Sequence, residues 1–345
     1  MLIHNLILTC CRKIKAKRTT AAIYYILTGK KSVQTMQDIH IFELQAYYGV
    51  AQSLSKQYFH KLIQQLEQHD LLDIDEDACF RLTEKGVKWL KSQTRPANFN
   101  GLRYHQLAPI FSDRLLLLIQ TLTNSNMGNY RFIPIVDKKP VQGWVKSFYK
   151  MVKTSESDYM KALYKELHML LSTLSEDEAN IFVDRLTGYQ IFGKSKQQLA
   201  EKYQSTIIDV SLIWMRIIHQ MLAGIQNDTS NYPILHMIIR DCEQQSFFTN
   251  TARKTYHLLR KNYTIPEIAA IRGLKENTIH DHIVEIALAD PTFSISPFID
   301  REQYQEIIAV MEQIDSYSLK QIKEALSSDI GYFQIRLVLA TIKRE

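Results

Sequence analysis

The order of helical and extended patterns in the first ninety residues constrains the fold more than any other feature of the chain. Apolar residues recur at helical spacing around residues 20–28, 36–47 and 55–70, and two short alternating stretches follow them. Gly29 is placed to end the first helix, because glycine takes the left-handed conformation at little cost. Three helices followed by a hairpin is the order of a winged helix, so the sequence predicts that fold here.

Composition extends the helical prediction to the whole chain. Only 11 Gly and 8 Pro occur among 345 residues, and 46% of the residues are apolar. So few turn residues argue against an all-β fold, and so many apolar residues are enough to form a buried core. Residues 93–101, QTRPANFNG, have the composition of a linker. We therefore expect a mainly α protein built from more than one domain.

The cysteines and the apolar stretches exclude several classes of protein. Cys10 and Cys11 are adjacent, Cys79 and Cys242 are single, and no C-x-x-C spacing exists for a zinc site. The apolar N-terminal stretch has its cations on the C-terminal side, the reverse of a signal peptide, and no run of 18 uncharged apolar residues occurs. We expect a cytoplasmic protein with no membrane partner.

Positive charge is concentrated near the N-terminus. The net charge is +6, and the first acidic residue is Asp38. Seven cations precede it, namely Arg12, Lys13, Lys15, Lys17, Arg18, Lys30 and Lys31. Clustering of one sign favours a polyanion that touches the first 150 residues, and the alternative is a solvated basic face without a partner.

The N-terminal segment resembles a known DNA-binding domain. The stretches YYILTGKKS, HIFELQAYYGVAQSLSKQYFHKLIQQLEQHDLLDI and FRLTEKG are similar to the RQC winged-helix domain of RecQ-family DNA helicases, over roughly residues 19–92. The matching positions are Leu27, Gly29, Ser32, His40, Leu44, Tyr48, Gly49, Leu54, Ser55, Leu62, Ile63, Leu66, Leu82, Thr83 and Gly86. The resemblance implies that Lys30, Lys31 and Ser32 contact phosphate, and two cations beside backbone N–H groups suit that role. The alternative is an ordinary helix end with exposed lysines.

The chain departs from that family in three respects. Tyr24 and Lys31 stand where a P-loop requires Gly and Ser or Thr, and no helicase motor is present. The four-cysteine zinc module that precedes the domain in the family is also missing. The expected wing tip, residues 73–77, carries four carboxylates and no aromatic side chain. We therefore do not expect this wing to separate DNA strands, and a protein partner is the alternative for it.

Residues 265–284 fit the frame of a helix-turn-helix. Ile268 and Ala269 are placed to pack inward, and Gly273 is placed to make the turn. Over about residues 249–341 the segment resembles the helix-turn-helix domain at the C-terminus of some bacterial RecQ-type helicases. An RQC-like start and this end, with no motor between them, resemble the YpbB family of helicase-companion proteins.

The second helix of this frame mixes cations with acids. Glu276, Asp281 and Glu285 share it, whereas a sequence-specific DNA reader usually carries few acids. Direct DNA contact, a protein-docking surface and a purely structural helix pair all remain open. His280 and His282 are two residues apart on a helix, so they do not form a metal site.

The central segment gives weaker signals. Around residues 175–222 a second two-helix frame has Leu199, Ala200, Val210 and Ile213 at its core positions, but Gln204 stands where Gly is expected. We interpret this frame as core packing of a helical bundle. Residues 130–149 are basic and aromatic, and they fit either a surface for single-stranded nucleic acid or a loop folded over the bundle.

Together these observations predict three domains and one leading function. The domains are a winged helix at 1–93, a central helical bundle at 94–246 and a helix-turn-helix domain at 247–345. The leading hypothesis is a non-catalytic DNA-binding accessory protein for a RecQ-type helicase supplied as a separate chain, in DNA repair or recombination. The residues predicted to contact DNA, mostly at phosphates, are Lys13, Lys15, Lys17, Arg18, Gly29, Lys30, Lys31, Ser32, Ser55, Lys56, Arg272, Lys275, Asn277, Thr278 and His280.

Two alternatives remain, a helix-turn-helix transcription regulator and a protein-interaction scaffold that binds no DNA. No H-E-x-x-H or G-x-S-x-G motif occurs in the sequence. We therefore predict no catalytic residue, no metal site, no cofactor and no small-molecule substrate.

Overall fold

The computed structural model describes residues 1–15, 17–75, 79–93, 98–242, 249–290, 292–327 and 329–342. The chain is mainly α-helical, as predicted, and the described residues contain one two-stranded sheet. It forms two compact units. Unit 1 contains residues 1–7, 46–55 and 93–244, and unit 2 contains residues 8–45, 56–92 and 245–345.

The N-terminal elements follow the order of a winged helix. They are α1 (Leu2–Ile14), α2 (Thr20–Thr28), α3 (Val33–Ile41), a 3-10 turn (Gln45–Tyr47), α4 (Lys56–Gln68), β1 (Leu72–Ile74), β2 (Phe80–Leu82) and α5 (Glu84–Ser92). The helix predicted over 36–47 is shorter than expected. It ends at Ile41 because Glu43 takes a φ of +50°, a left-handed conformation that interrupts the helix.

The wing is a short antiparallel hairpin that closes against α5. Leu72 pairs with Leu82, and Asp73 pairs with Arg81, which places opposite charges across the two strands. Gly86 in α5 lies so close to β1 that a Cβ there would be 2.1 Å from the Leu71 carbonyl oxygen. Glycine is therefore required at this point of close approach, as the Leu-Thr-x-x-Gly pattern suggests.

The central helices form the bundle of unit 1. They are α6 (Gly101–Tyr104), α7 (Leu107–Asn126), α8 (Lys139–Val152), α9 (Glu156–Leu171), α10 (Glu176–Asp184), α11 (Lys196–Lys202), α12 (Ile207–Asn227) and α13 (Pro233–Ile239). Helix α7 packs against α8, α9, α12 and α13 around one apolar core. By length and composition α12 is the one helix in the described residues that could cross a membrane, and 61% of its most apolar window is buried within the protein. A buried core helix can have the same length and apolar composition.

The weak central frame forms a true helix-turn-helix backbone. Gln204 takes a φ of +47°, so it adopts the left-handed turn conformation that glycine would adopt more cheaply. Leu199 and Ala200 are buried, and the second helix of the frame, α12, is buried along most of its length. The frame therefore serves the core of the bundle, because its second helix is not open to a DNA groove.

The C-terminal elements complete unit 2. They are α14 (Asn250–Leu259), α15 (Ile265–Arg272), α16 (Glu276–Ala289), α17 (Arg301–Ile314), α18 (Leu319–Ala325) and α19 (Tyr332–Thr341). Gly273 has a φ of +61° and makes the predicted turn between α15 and α16. Val33 and Met36 from α3 pack into the same apolar core as Ile283 and Leu337. Most of the first predicted domain, residues 8–45 and 56–92, therefore belongs to one compact unit with the third, whereas residues 1–7 and 46–55 belong to unit 1.

Candidate nucleic-acid interface

The lysine loop, residues 29–32, connects α2 to α3 with the geometry expected of a helix end. Gly29 has a φ of +74°, and the backbone N–H of Lys30 donates to the Tyr25 carbonyl at 2.9 Å. Lys30 and Lys31 are exposed, and the Lys30 ammonium lies 3.8 Å from the centre of the Tyr25 ring. Two cations are thus held at a fixed point of the surface of unit 2.

Ser32 has a structural role in the same loop. Its Oγ accepts the backbone N–H of Thr35 at 3.2 Å, so it caps the N-terminus of α3. No acidic residue lies in the first turn of α3. The positive end of this helix dipole therefore adds to the two lysines, although the predicted phosphate contact of the Ser32 hydroxyl stays a prediction.

Helix α4 exposes a polar face that the sequence analysis largely missed. Phe59, Leu62, Ile63 and Leu66 are buried, as their spacing predicts. The opposite face is exposed and carries Lys56, Gln57, His60, Lys61, Gln64, Gln65 and Gln68. Glu67 is the single acid of the helix and lies in its last turn. Only Lys56 and the preceding exposed Ser55 were predicted, but the positions between the buried ones define this face.

The lysine loop and the first turns of α4 lie near each other. Tyr24 in α2 packs on Phe59 in α4, with ring centres 5.5 Å apart. The loop begins about one helical turn after Tyr24. Lys30, Lys31, Lys56 and the α4 amides can therefore contribute to one cationic, hydrogen-bonding surface within unit 2.

Most of the predicted basic arm is engaged inside unit 2. Lys13 donates to the Glu43 carbonyl at 2.9 Å, and Lys17 pairs with Asp315 at 2.6 Å. Arg18 pairs with the buried carboxylate of Asp38 at 2.9 Å. Burial raises the pKa of Asp38, and Arg18 acts against that shift. Each of these cations would have to leave a carboxylate or carbonyl to reach DNA.

Lys15 is the arm cation that the structure leaves most open. It is exposed, and it takes a φ of +51° just after α1 ends. Contacts of Lys13, Lys15, Lys17 and Arg18 with DNA stay predictions, and Lys15 needs the least rearrangement.

The C-terminal helix-turn-helix is enclosed by its own unit. Helix α16 packs against α14, α15, α19 and α3. Arg272 donates to the Thr251 carbonyl at 2.7 Å and the Thr255 hydroxyl at 2.5 Å. His280 stacks on Phe333 with ring centres 4.0 Å apart. Contacts of these two residues with DNA remain predictions that require these internal contacts to open.

The first turn of α16 is its open part. Lys275 and Asn277 are exposed, and Thr278 is half-buried. Asp281 is exposed beside them and pairs with Arg336. The solvent-exposed part of α16 is therefore short and carries both positive and negative charges.

His282 belongs to the interior of unit 2. It lies 3.0 Å from the Thr255 hydroxyl, and burial, followed by the nearby Arg272 charge, lowers its pKa. Among the residues that the structure describes, no group of three or more His, Cys, Asp or Glu is placed to hold a metal ion.

The wing keeps its acidic character as far as the structure describes it. Asp73 is exposed, and Asp75 accepts the backbone N–H of Cys79 at 2.8 Å. Glu76 and Asp77 lie outside the described residues. The prediction that this wing does not separate strands therefore rests on the sequence of its tip.

Comparisons with known proteins agree with this organisation. Residues 4–97 match the family model of the RQC domain, and residues 251–339 match that of a helix-turn-helix domain. The chain is 29% identical over 339 residues to Protein YpbB of Bacillus subtilis (strain 168), covering 97% of this chain and 96% of that protein. No solved structure matches the chain. The two matched domains support DNA binding and an association with RecQ. The chain is therefore similar to Protein YpbB along nearly its whole length, with a match to the RQC domain near its N-terminus and to a helix-turn-helix domain near its C-terminus.

Proposed function

We propose that the chain is a non-catalytic DNA-binding accessory protein that works with a RecQ-type helicase supplied as a separate chain in the bacterial cytoplasm. It would act on nucleoid DNA in repair or recombination. The observation that carries the proposal is the exposed face of α4 beside the lysine loop. There Lys30, Lys31, Lys56 and Lys61 meet a row of amides, and Glu67 is the one acid in the helix.

These side chains match the chemistry of a DNA backbone. Lysines neutralise phosphates and release condensed counterions, so binding weakens as salt rises, by about 0.9 in the logarithmic slope for each phosphate contact to duplex DNA. The amides of Gln57 and Gln64 can donate to phosphate oxygens or to base edges. We expect backbone contacts to supply most of the affinity.

The helicase is proposed as a partner because the chain matches an RQC domain, its C-terminal segment resembles the helix-turn-helix domain of some RecQ-type helicases, and its sequence has no motor motif. These domains can bind DNA, but they cannot unwind it without a helicase motor. A separate RecQ-type chain would supply the ATP hydrolysis, and this chain would hold the DNA or recruit the motor to it.

DNA binding is tested by a salt titration with single-stranded, duplex and forked DNA. Wild-type protein is compared with Lys30→Glu/Lys31→Glu, and Lys161→Glu/Lys165→Glu in α9 is a control with the same charge change at exposed positions. We expect salt-sensitive binding to duplex and forked DNA that the first variant loses and the control keeps. Absence of binding to all three DNAs at low salt would refute the DNA claim.

The helicase partnership is tested by unwinding of a forked duplex by a RecQ-type helicase, with and without this chain. We expect a higher unwinding rate or longer unwound tracts when the chain is present, and Lys30→Glu/Lys31→Glu should remove the gain. If the unwinding rate is unchanged and the two proteins do not co-purify, the helicase partnership is refuted, even if the chain binds DNA.

The glutamines of α4 favour one second candidate, a sequence-specific regulator. Gln side chains recognise adenine through two hydrogen bonds, and Gln57 and Gln64 lie seven residues apart on one helix face. Selection from a pool of random duplexes distinguishes the two functions. Enrichment of one sequence motif supports a regulator, whereas equal binding to all sequences supports the accessory role.

A further inference from the structure

A second charged and aromatic surface lies in unit 1, on α7. Asp113 and Gln120 are seven residues apart, so they share one face of α7 about 10 Å apart along its axis. The buried Gln120 accepts the backbone N–H of Ile135 at 2.9 Å and donates to the Ile133 carbonyl at 3.0 Å. Lys138 then reaches Asp113 at 2.6 Å. Residues 130–139 are therefore fastened along this face of the helix.

A second segment, residues 185–196, borders the same face of α7. A Cβ on Gly188 would lie 3.1 Å from the Thr123 hydroxyl, which places this turn against the C-terminal half of the helix. The charge of Asp113 acts on Arg185 and Lys196, which places those cations near its N-terminal half. We call the surface formed by residues 130–139 and 185–196 the α7 strip.

The α7 strip exposes large apolar and aromatic side chains. Phe192 is 87% exposed, Ile133 is 89% exposed and Tyr130 is 68% exposed, and Ile191 is also exposed. The backbone that carries them is ordered by hydrogen bonds. Gly188 and Ile191 pair in a β-bridge, and the Gly193 N–H donates to the Thr187 hydroxyl at 3.0 Å. Aromatic side chains held outward on a fixed backbone lose little conformational entropy when a planar group stacks on them.

The same strip has an excess of positive charge. Its two segments contain six Lys or Arg and one acid, Asp137. Lys138 pairs with Asp113, and Lys194 pairs with Asp184. No ion pair is found within the described chain for the remaining four cations, Arg131, Lys139, Arg185 and Lys196.

Two of these cations are partly desolvated, which is costly unless an anion arrives. Burial lowers the pKa of Arg185, and burial together with the Arg185 charge lowers the pKa of Lys196. The Arg185 Nε is buried and has no hydrogen-bond partner among the described residues, although Nη1 donates to the Lys194 carbonyl at 2.8 Å. A phosphate bound at the surface beside Arg185 and Lys196 would relieve the repulsion between the two cations.

We propose that the α7 strip binds single-stranded nucleic acid, with phosphates at Arg185, Lys196 and the exposed Arg131 and Lys139, and bases stacked on Phe192 and Tyr130. Outward aromatic faces beside a cationic track are the elements of sequence-independent single-strand binding. Stacking requires unpaired bases, so the strip should discriminate against duplex DNA. The proposal rests on the proposed function in one respect, namely that DNA is the polyanion the chain meets.

The test uses the full-length chain and a fluorescent oligothymidylate of about twenty nucleotides. Phe192→Ala/Tyr130→Ala should weaken oligothymidylate binding at least about fivefold, because each stacked base contributes to affinity. Arg131→Glu/Lys139→Glu should lower the logarithmic salt slope by about 1.4, since each single-strand phosphate contact contributes about 0.7. These four side chains are exposed, so the variants are expected to fold.

The matched controls are Tyr164→Ala and Lys161→Glu/Lys165→Glu in α9, which remove an exposed aromatic ring and reverse two exposed cations in the same unit. Both should bind oligothymidylate like the wild type. Unchanged binding by Phe192→Ala/Tyr130→Ala, or an equal loss in the controls, would overturn the proposal. Weakened capture of a RecQ-type helicase with unchanged oligothymidylate binding would overturn it too, since the strip would then be a protein-docking surface.

Duplex binding separates this proposal from the proposed function. Lys30→Glu/Lys31→Glu should lose duplex binding and keep most of the oligothymidylate binding, and the strip variants should do the reverse. If the wild type binds duplex but not oligothymidylate, only the α7 strip proposal fails. If it binds neither, both proposals fail.

Discussion

Helices α4 and α16 hold equivalent places in their motifs, each being the helix that such a motif presents to DNA. Helix α4 buries one stripe and leaves the rest of its surface in solvent. Helix α16 is enclosed by α14, α15, α19 and α3, and only its first turn and Asp281 are well exposed. The same motif geometry therefore yields an open helix at one end of the chain and a core helix at the other.

The difference shows what a helix-turn-helix pattern can and cannot predict. Ala269, Gly273 and Ile279 fix how α15 crosses α16, and the structure has this crossing. They do not determine what covers the outer face of α16. That face is occupied by Val33 and Met36 of α3 and by Phe333 of α19, which come from distant parts of the sequence. Access to DNA is decided by these distant contacts.

The largest expected effect comes from the core of α16. Ile283 is fully buried, so Ile283→Ala should lower the free energy of unfolding of unit 2 by about 2–5 kcal/mol. Gln64→Ala on the exposed face of α4 should change it by less than about 0.5 kcal/mol. Urea unfolding followed by circular dichroism measures both. Similar values for the two variants would mean that α16 is as open as α4.

The next largest effect is on DNA affinity, where substitutions on α4 are expected to cause a larger loss than substitutions on α16. Lys56→Glu/Lys61→Glu on α4 should weaken duplex binding at least about tenfold and lower the logarithmic salt slope by about 1.8, because two phosphate contacts are lost. Lys275→Glu/Asn277→Glu on α16 introduces the same two negative side chains at exposed positions. We expect it to weaken binding less than about threefold.

Fluorescence anisotropy at several salt concentrations distinguishes the two variants. A larger loss from the α16 variant would reverse the comparison, and the C-terminal helix-turn-helix would then be the principal DNA contact. Equal losses would indicate that one DNA molecule touches both helices of unit 2.

Local structure was predictable from the sequence wherever one residue type dictates a conformation. Gly29 and Gly273 both take left-handed φ at the ends of helices, as expected. The buried stripe of α4 follows from the spacing of Phe59, Leu62 and Ile63. The exposed α4 face follows from the same spacing, since every position outside that stripe is polar or tyrosine, although the sequence analysis names only Lys56 of this helix as a DNA contact.

The partners of the basic arm could not be predicted, because they are distant in the sequence. Lys17 pairs with Asp315, which is 298 residues away, and Arg18 donates to the Tyr317 carbonyl. A run of cations indicates a polyanion only when its charges are free, and pairing of this kind is set by the tertiary fold. The α7 strip could not be predicted for the same reason, because its two segments are about fifty residues apart and meet only on α7.

The smallest expected effect is a pH dependence of folding stability that comes from His282, a buried residue of α16. Burial and the Arg272 charge lower the pKa of His282 in the folded protein, whereas in the unfolded chain it titrates near 6.5. The unfolded state therefore binds more protons below about pH 6.5. The stabilisation from neutral His282 is fully present above that pH and is lost as the pH falls below it.

His282→Gln tests this dependence, because glutamine keeps a polar partner for Thr255 and does not titrate. Urea unfolding at pH values from 7 to 5 should show that the wild type loses stability faster than the variant, by at most about 1.4 kcal/mol per pH unit, the limit for one proton. The carboxylates titrate alike in both proteins and cancel in the difference. Parallel pH profiles would mean that His282 takes up a proton in the folded state, and a charged, hydrated His282 would require α16 to be open to solvent in the way that α4 is.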